Sequence, residues 1–174
     1  MSGKGSRSAD PRVVIRRARL ADAERLATIY NEAVMDTTAT FDIEPKSVDD
    51  RRGWLAARGD RHPVLVAELD GTVVGYASLT RWSARSAYDD SAETGVYVHS
   101  SHRGLGLGRR LYDEIIGEAR QLRFHTLIAR VTAESAASIR LNEAAGFVVV
   151  GTMREVGRKF GRWLDVVIMQ KMLD

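Results

Sequence analysis

The chain has 174 residues, a formal net charge of +3 and no cysteine. That length suits one domain with a sizeable core, and the lack of thiols excludes a disulfide framework, a thiolate nucleophile and a cysteine metal site. Residues 1–12 carry Lys4, Arg7 and Arg12 against Asp10, so +2 of the charge sits there and the rest is near neutral, with no basic stripe for nucleic acid.

The first residues hold no hydrophobic core, so they are expected to be no signal peptide and to form a disordered tail over 1–12. No apolar run approaches the ~18 residues needed to span a membrane, which is compatible with the cytoplasm. Val13-Val14-Ile15 predicts a first strand. A helix then opens near Leu20, with Asp22 as N-cap and Leu26, Ile29, Tyr30, Ala33 and Val34 on one face. The threonines and proline of Asp36 to Pro45 argue against helix there. Ser47 and Asp50 resemble a capping pair for a helix through Trp54 toward Ala57, Asp50 being shorter than the usual Glu or Gln. Val64 to Leu69, Asp70-Gly71 and Thr72 to Leu79 form a strong hairpin signal. Arg81 to Ala92 lacks periodicity and is expected to be a loop.

The stretch from Glu93 to Arg110 organises the rest. Val96 and Val98 alternate with Tyr97 as in a strand. The apolar residues Leu111, Tyr112, Ile115, Ile116, Ala119 and Leu122 then trace one helical face. Between them Gly104, Gly106 and Gly108 let the backbone approach a ligand, and their amides with those of the helix start make an anion site suited to a diphosphate. The dinucleotide fingerprint fails, because Arg109 or Leu111 stands where its last glycine belongs; the P-loop fails for want of Gly-Lys-Ser/Thr. Downstream, Thr126 to Val131 is a strand, Ser135 caps a helix to Ala145 and Gly146 stops it. Phe147 to Val156 and Trp163 to Met172 are two final strands joined around Lys159-Phe160-Gly161-Arg162. The order βααββ, loop, βαβαββ implies a mixed sheet with helices on its faces.

Arg103-Gly104-Leu105-Gly106-Leu107-Gly108, directly after a Val-Tyr-Val strand, fits Arg/Gln-x-x-Gly-x-Gly/Ala and resembles the acetyl-CoA pyrophosphate loop of the GNAT acetyltransferase superfamily. A second motif of that family, Asn-x-x-Ser-Ile-x-Leu-Tyr/His-x-x-x-Gly-Phe, is matched by Ser135 to Phe147. Tyr30-Asn31, Thr37 to Phe41 and Lys159 to Asp165 narrow the resemblance to the phosphinothricin and methionine sulfoximine/sulfone N-acetyltransferase branch. The resemblance implies an α/β (α+β) GNAT fold over residues 13–174, one domain whose mixed, mostly antiparallel sheet is flanked by helices and splayed at the acetyl-CoA strand. It further implies acetyl-CoA as co-substrate, no metal, a small amine acceptor and a homodimer whose pocket borrows from the partner. Expected cofactor residues are Val96, Tyr97, Val98, Arg103, Gly104, Leu105, Gly106, Leu107, Gly108, Arg109, Ser135, Asn142 and Ala144. Expected acceptor residues are Thr40, Phe41, Ser86, Ala87, Tyr88, Glu93, Thr94 and Gly95. Two positions depart from the family pattern. Ser135 stands for the usual Asn, and Asn142 stands where a Tyr or His is proposed to protonate the thiolate, which an amide does not do.

Direct acyl transfer needs a neutral amine, a base for its proton and donors for the developing oxyanion. An α-amino group has pKa ~8, so a base is useful. Glu93, at the start of the strand before the loop, is the expected base, through water; the alternative is a solvated strand-start carboxylate. The N–H of Val98 is the expected oxyanion donor. Arg103 and Arg109 would add charge near the phosphates, although Arg109 equally suits a solvated helix position. His99 and His102 are expected to face solvent or cap the turn. Tyr88 either walls the pocket or packs in its loop, and Trp163 with Lys159 and Asp165 is a hairpin staple, a dimer contact or a pocket edge. The competing functions are a protein N-terminal or lysine acetyltransferase, favoured by an open groove, and a non-catalytic acyl-CoA-sensing module.

Overall fold

A computed structural model describes residues 13–173, so the expected tail over 1–12 lies outside the described residues. In chain order the elements are β1 (Val13–Arg17), α1 (Ala23–Asp36), α2 (Val48–Ala56), β2 (Val64–Leu69), β3 (Thr72–Arg81), β4 (Ser91–Val98), α3 (Leu107–Gln121), β5 (Thr126–Thr132), α4 (Ala136–Ala144), β6 (Val148–Lys159) and β7 (Arg162–Met172). The strands form one seven-stranded sheet in the order β1-β2-β3-β4-β5-β7-β6. Every neighbouring pair is antiparallel except β4 and β5. A parallel pair needs a crossover, and α3 supplies it.

Local chemistry accounts for most boundaries. Asp70 and Phe160 adopt φ of 48° and 50°, and Gly71 and Gly161 follow at 84° and 76°. Two consecutive positive φ values make the hairpin turn whose twist matches the strands. Ser47 and Asp50 form the expected reciprocal cap: the Asp50 N–H donates to Ser47 Oγ at 3.0 Å and the Ser47 N–H to Asp50 Oδ2 at 2.8 Å. Two other expected caps differ. Asp22 precedes α1, but its carboxylate turns back to accept the Arg19 N–H at 2.7 Å and the Arg16 guanidinium at 2.8 and 2.9 Å. Ser135 precedes α4, yet its hydroxyl donates to Ser138 Oγ at 2.8 Å instead of capping a backbone amide.

The sheet buries both faces, which is why β2 reads as a continuous apolar run. Leu65 and Ala67 pack with Leu111, Tyr112, Ile115 and Ile116 of α3 on one side. Val64 and Val66 pack with Leu26 and Ile29 of α1 on the other, where Trp54 and Leu55 of α2 close the layer.

Candidate active site

β4 is the hinge of the site. It pairs with β3 along its length, from Arg81↔Ala92 to Gly75↔Val98, but with β5 only over Ser91↔Thr126, Ala92↔Leu127 and Glu93↔Ile128. Beyond Glu93 the two parallel strands part, and the gap runs along residues 94–98. The His99 N–H donates to the Val74 carbonyl at 2.9 Å, toward β3. Backbone groups alternate edges along a strand, so the N–H of Val98 points the other way, into the gap. The Val98 carbonyl accepts the Arg103 Nε–H at 3.2 Å. Side chains alternate faces too: Glu93, Gly95 and Tyr97 share the α1/α2 face with Thr80, Ser78 and Tyr76, whereas Thr94, Val96 and Val98 face α3.

Two cavities open on this gap. One, of about 480 Å³, is lined by Val96, Tyr97 and Val98, by His102 to Gly104 and Gly106 to Arg109, and by Ser135, Ser138 and Leu141 of the α4 segment. Gly104 and Gly106 have φ of 79° and 74°, and a Cβ on either would meet nothing within 4 Å, so the loop presents bare backbone. Gly106 is also the N-cap of α3, leaving the first amides of that helix to be satisfied from outside. The loop, the helix start and the open strand edge therefore fit an extended ligand with a diphosphate. Gly108 differs in purpose, because a Cβ there would stand 3.0 Å from Leu141 Cδ2; its missing side chain lets α4 approach α3.

The second cavity, of about 600 Å³, lies on the α1/α2 face and shares Thr38, Ala39 and Tyr97 with the first. Glu93 lines it at the apex of the splay. Both of its carboxylate oxygens are held by Arg130 of β5, at 2.6 Å from Nε and 2.8 Å from the terminal nitrogen. Arg130 lies two residues past the last β4–β5 pair on the same face, so it reaches back across the gap. An ionised carboxylate has about four lone-pair positions, so two stay open for a water or an amine. Tyr97 stacks on Tyr76 with ring centroids 5.2 Å apart and meets Tyr30 edge-on at 5.4 Å. Burial pushes the Tyr97 phenol well up, so it stays neutral and its ring serves as wall. Arg58 donates to the Leu79 carbonyl and to Thr80 Oγ1, and burial pulls its pKa down to about 10.

The segment between α1 and α2 roofs this cavity and is tied down at both ends. Lys159, a residue only 4% exposed, donates from Nζ to the Thr40 carbonyl at 2.8 Å and the Ala33 carbonyl at 3.4 Å. Burial lowers the pKa of this ammonium. Asn31 clamps the backbone of Lys46 with two hydrogen bonds of 2.8 Å, and Thr132 Oγ1 donates to the Thr38 carbonyl at 2.7 Å. Phe41 enters over Gly157 of β6, where a Cβ would fall 2.0 Å from its ring. Asp42 accepts the Tyr30 hydroxyl at 2.7 Å and pairs with Lys46 at 3.3 Å. Burial works to raise the Asp42 pKa, but those two bonds and the charge of Arg51 outweigh it and leave it lowered.

Several expected site residues stand elsewhere. Asn142 is 3% exposed and lines neither cavity; it accepts the Tyr112 hydroxyl at 2.7 Å and donates to the Ser138 carbonyl at 2.9 Å, joining α4 to α3. Ala144 offers only its carbonyl, to Arg109, whose Nε also donates to Asp113 at 2.8 Å. Leu105 is 57% exposed and lines neither cavity. Ser86, Ala87 and Tyr88 form a short 3-10 turn that lines neither cavity, whereas Thr94, its side chain on the α3 side of the sheet, does line the second. His99 caps its turn by accepting the Ser101 N–H at 3.3 Å, whereas His102 lines the loop cavity. Lys159 is a loop staple and Asp165 accepts the Glu155 N–H at 2.7 Å, while Trp163 stays exposed. Sequence reasoning missed Arg51, Trp54, Arg58, Ser78 and Arg130, which come from α2, the turn after it, β3 and β5 and carry no local motif. Among the described residues no group of three or more His, Asp or Glu is placed to hold a metal, and no helix is long and apolar enough to cross a membrane.

The acetyltransferase (GNAT) domain model matches residues 15–168. The L-amino acid N-acyltransferase MnaT of Escherichia coli (strain K12) is 44% identical over 161 residues, covering 92% of this chain and 94% of that protein. The L-methionine sulfoximine/L-methionine sulfone acetyltransferase of Salmonella typhimurium is 43% identical, with 93% and 95% covered. The phosphinothricin N-acetyltransferase of Streptomyces viridochromogenes is 37% identical, with 91% and 87% covered. Among solved structures, yncA of Salmonella typhimurium with its cofactor acetyl-CoA superposes with a TM-score of 0.90 at 43% identity, covering 93% of this chain and 94% of that one. The ribosomal-protein-alanine N-acetyltransferase of Brucella melitensis superposes equally, TM-score 0.90 at 46% identity, with 92% and 99% covered.

Proposed function

The chain belongs to the GNAT acetyltransferase family, and from that premise we propose that it moves the acetyl group of acetyl-CoA to the α-amino group of a small amino-acid-like acceptor such as methionine sulfoximine, methionine sulfone or phosphinothricin. The observation that carries this reading is the junction of the two cavities at Thr38, Ala39 and Tyr97, beside the splay at Glu93. A ligand arm laid along the open edge of β4 brings an acyl group to that junction, and an amine in the second cavity meets it there.

In this reading residues 13–174 act as one acetyltransferase domain. Arg103 and the amides of Gly104, Gly106 and the α3 start take the diphosphate; Val96 and Val98 take the arm through their backbone; Ser135 and Arg109 border it. The Val98 N–H, aimed into the gap, stabilises the charge that builds on the thioester oxygen. Glu93 takes the amine's proton through a water on the lone pairs that Arg130 leaves open. Thr40, Phe41 and Gly95 wall the acceptor. The enzyme works as a cytoplasmic homodimer in which the exposed edge strand β6 is the contact. Val148, Val149 and Val150 there are all more than half exposed, and Met153 and Val156 of the same strand border the acceptor cavity.

One observation favours a second acceptor, a protein N-terminus: the similarity to a ribosomal-protein-alanine N-acetyltransferase. Free-thiol release from acetyl-CoA tests both readings, with phosphinothricin, methionine sulfoximine, methionine sulfone, methionine and an alanine-started peptide as acceptors. Turnover of the tetrahedral sulfur and phosphorus analogues is expected, with kcat/KM falling about 100-fold in Glu93→Gln. Unchanged turnover in that variant removes Glu93 as base. Preference for the peptide selects the second reading, and silence throughout despite acetyl-CoA binding leaves an acyl-CoA sensor.

A further inference from the structure

The guanidinium of Arg51 is the least explained charge in the molecule. Arg51 sits on the inner face of α2 and lines the acceptor cavity, yet it is only 6% exposed. Its guanidinium carbon lies 3.7 Å from the centre of the Tyr30 ring and 5.1 Å from that of Trp54. Among the described residues its side chain has no hydrogen bond and no carboxylate partner, and its Nε is buried and unpaired. The other two arginines of the cavity are engaged: Arg130 with Glu93, and Arg58 with Leu79 and Thr80. Asp42, whose charge Arg51 does feel, is taken by Tyr30 and Lys46. Contact with two aromatic faces offsets part of the burial cost, but it does not replace the hydration that an unpaired ion loses. A buried cation left without an anion, facing a cavity that the diphosphate does not enter, is completed by an anion that arrives with the acceptor.

Resting on the acetyl-transfer reading above, we infer that Arg51 is the receptor for the acceptor's carboxylate and so makes a free carboxylate a requirement. The planar guanidinium fork matches a carboxylate through two parallel hydrogen bonds, and the aromatic rings on its faces keep the fork oriented. Glu93 and Arg51 then divide the acceptor between them, the carboxylate of the protein taking the amine and the guanidinium taking the acid. Amines without a carboxylate leave the charge unpaired and are rejected, as are peptide N-termini, whose first carbonyl is an amide.

The test compares methionine sulfone with methionine sulfone carboxamide, in wild type, Arg51→Met and Arg51→Lys. Wild type is expected to prefer the acid by about 100-fold in kcat/KM, the usual penalty for leaving a buried charge unpaired. In Arg51→Met the ratio falls to within a few-fold, and Arg51→Lys recovers part of it. Equal use of acid and amide by wild type overturns the inference, as does an Arg51→Met protein of unaltered melting temperature that keeps the full ratio. Calorimetric binding of the two compounds with CoA present separates the two readings. A wild type that acetylates neither but binds only the acid, through Arg51, ends the acetyl-transfer reading and keeps this one. A wild type that acetylates both alike does the reverse.

Discussion

The three glycines of the loop share one spacing and divide into two jobs. Gly106 holds φ of 74° with open space where its side chain would be, whereas Gly108 has its space filled by Leu141. A methyl group at Gly106 is strained by roughly 1–2 kcal/mol and projects into the loop cavity. Gly106→Ala is therefore expected to weaken acetyl-CoA binding about tenfold, roughly 1.4 kcal/mol by titration, with a modest loss of melting temperature. Gly108→Ala overpacks the α3–α4 contact and should cost about 1–3 kcal/mol of stability first, read by urea unfolding. If both variants lose affinity alike at unchanged stability, the division is wrong. Asn142 carries a similar lesson. Its position in the motif suggested a place beside the cofactor, but its buried amide bonds to Tyr112 and Ser138 and lines neither cavity, so it joins two helices.

At the scale of elements, the start of α1 shows how a capping residue is diverted. Asp22 has the sequence of an N-cap, yet the guanidinium of Arg16 on β1 draws its carboxylate into a bidentate pair, and the Arg19 N–H adds a third bond. The Arg16 bond chiefly, against the opposing effect of burial, lowers the Asp22 pKa. The folded value thus lies below the unfolded one of about 3.9, so the stabilisation is complete above that pH and is lost as pH falls through the folded value. Asp22→Asn is expected to cost about 1–3 kcal/mol near neutrality, a difference that disappears as pH falls through the lowered folded value. Urea unfolding across pH 2–7 measures this, and a constant difference over the whole range would discount the pair. Sequence spacing exposed the candidate cap; it carried no sign of Arg16, whose approach depends on β1 lying beside that turn.

At the scale of the whole molecule, the sheet ends on β6, a strand exposed along nearly all its length. Water is a poor partner for its valines, and an open apolar edge invites a second copy. Light scattering behind size exclusion is expected to give a dimer for wild type and a monomer for Val148→Glu with Val150→Glu. Because Met153 and Val156 of the same strand reach the acceptor cavity, the monomer should also show a raised acceptor KM. A monomeric wild type, or a monomeric variant with native kinetics, removes the dimer from the site.

The amino-acid sequence by itself determined the order of the elements, the glycine loop, the hairpins and the family. These rest on local preferences and on motifs short enough to lie within one turn or one strand-to-helix junction. The βααββ, loop, βαβαββ reading is the order observed, and the glycine run does sit between β4 and α3. Glu93, Thr94, Gly95, Thr40 and Phe41 were grouped from the sequence as expected acceptor residues, and they line one cavity. Only the tertiary structure decided what surrounds them. Arg51 on α2 and Arg130 on β5 converge on that cavity, and Lys159 on β6 holds its roof at Thr40, because the sheet splays after Glu93 and the α1–α2 segment folds over the opening. Nothing in their spacing along the chain foretells this, since a charge finds its partner, or lacks one, through packing in space.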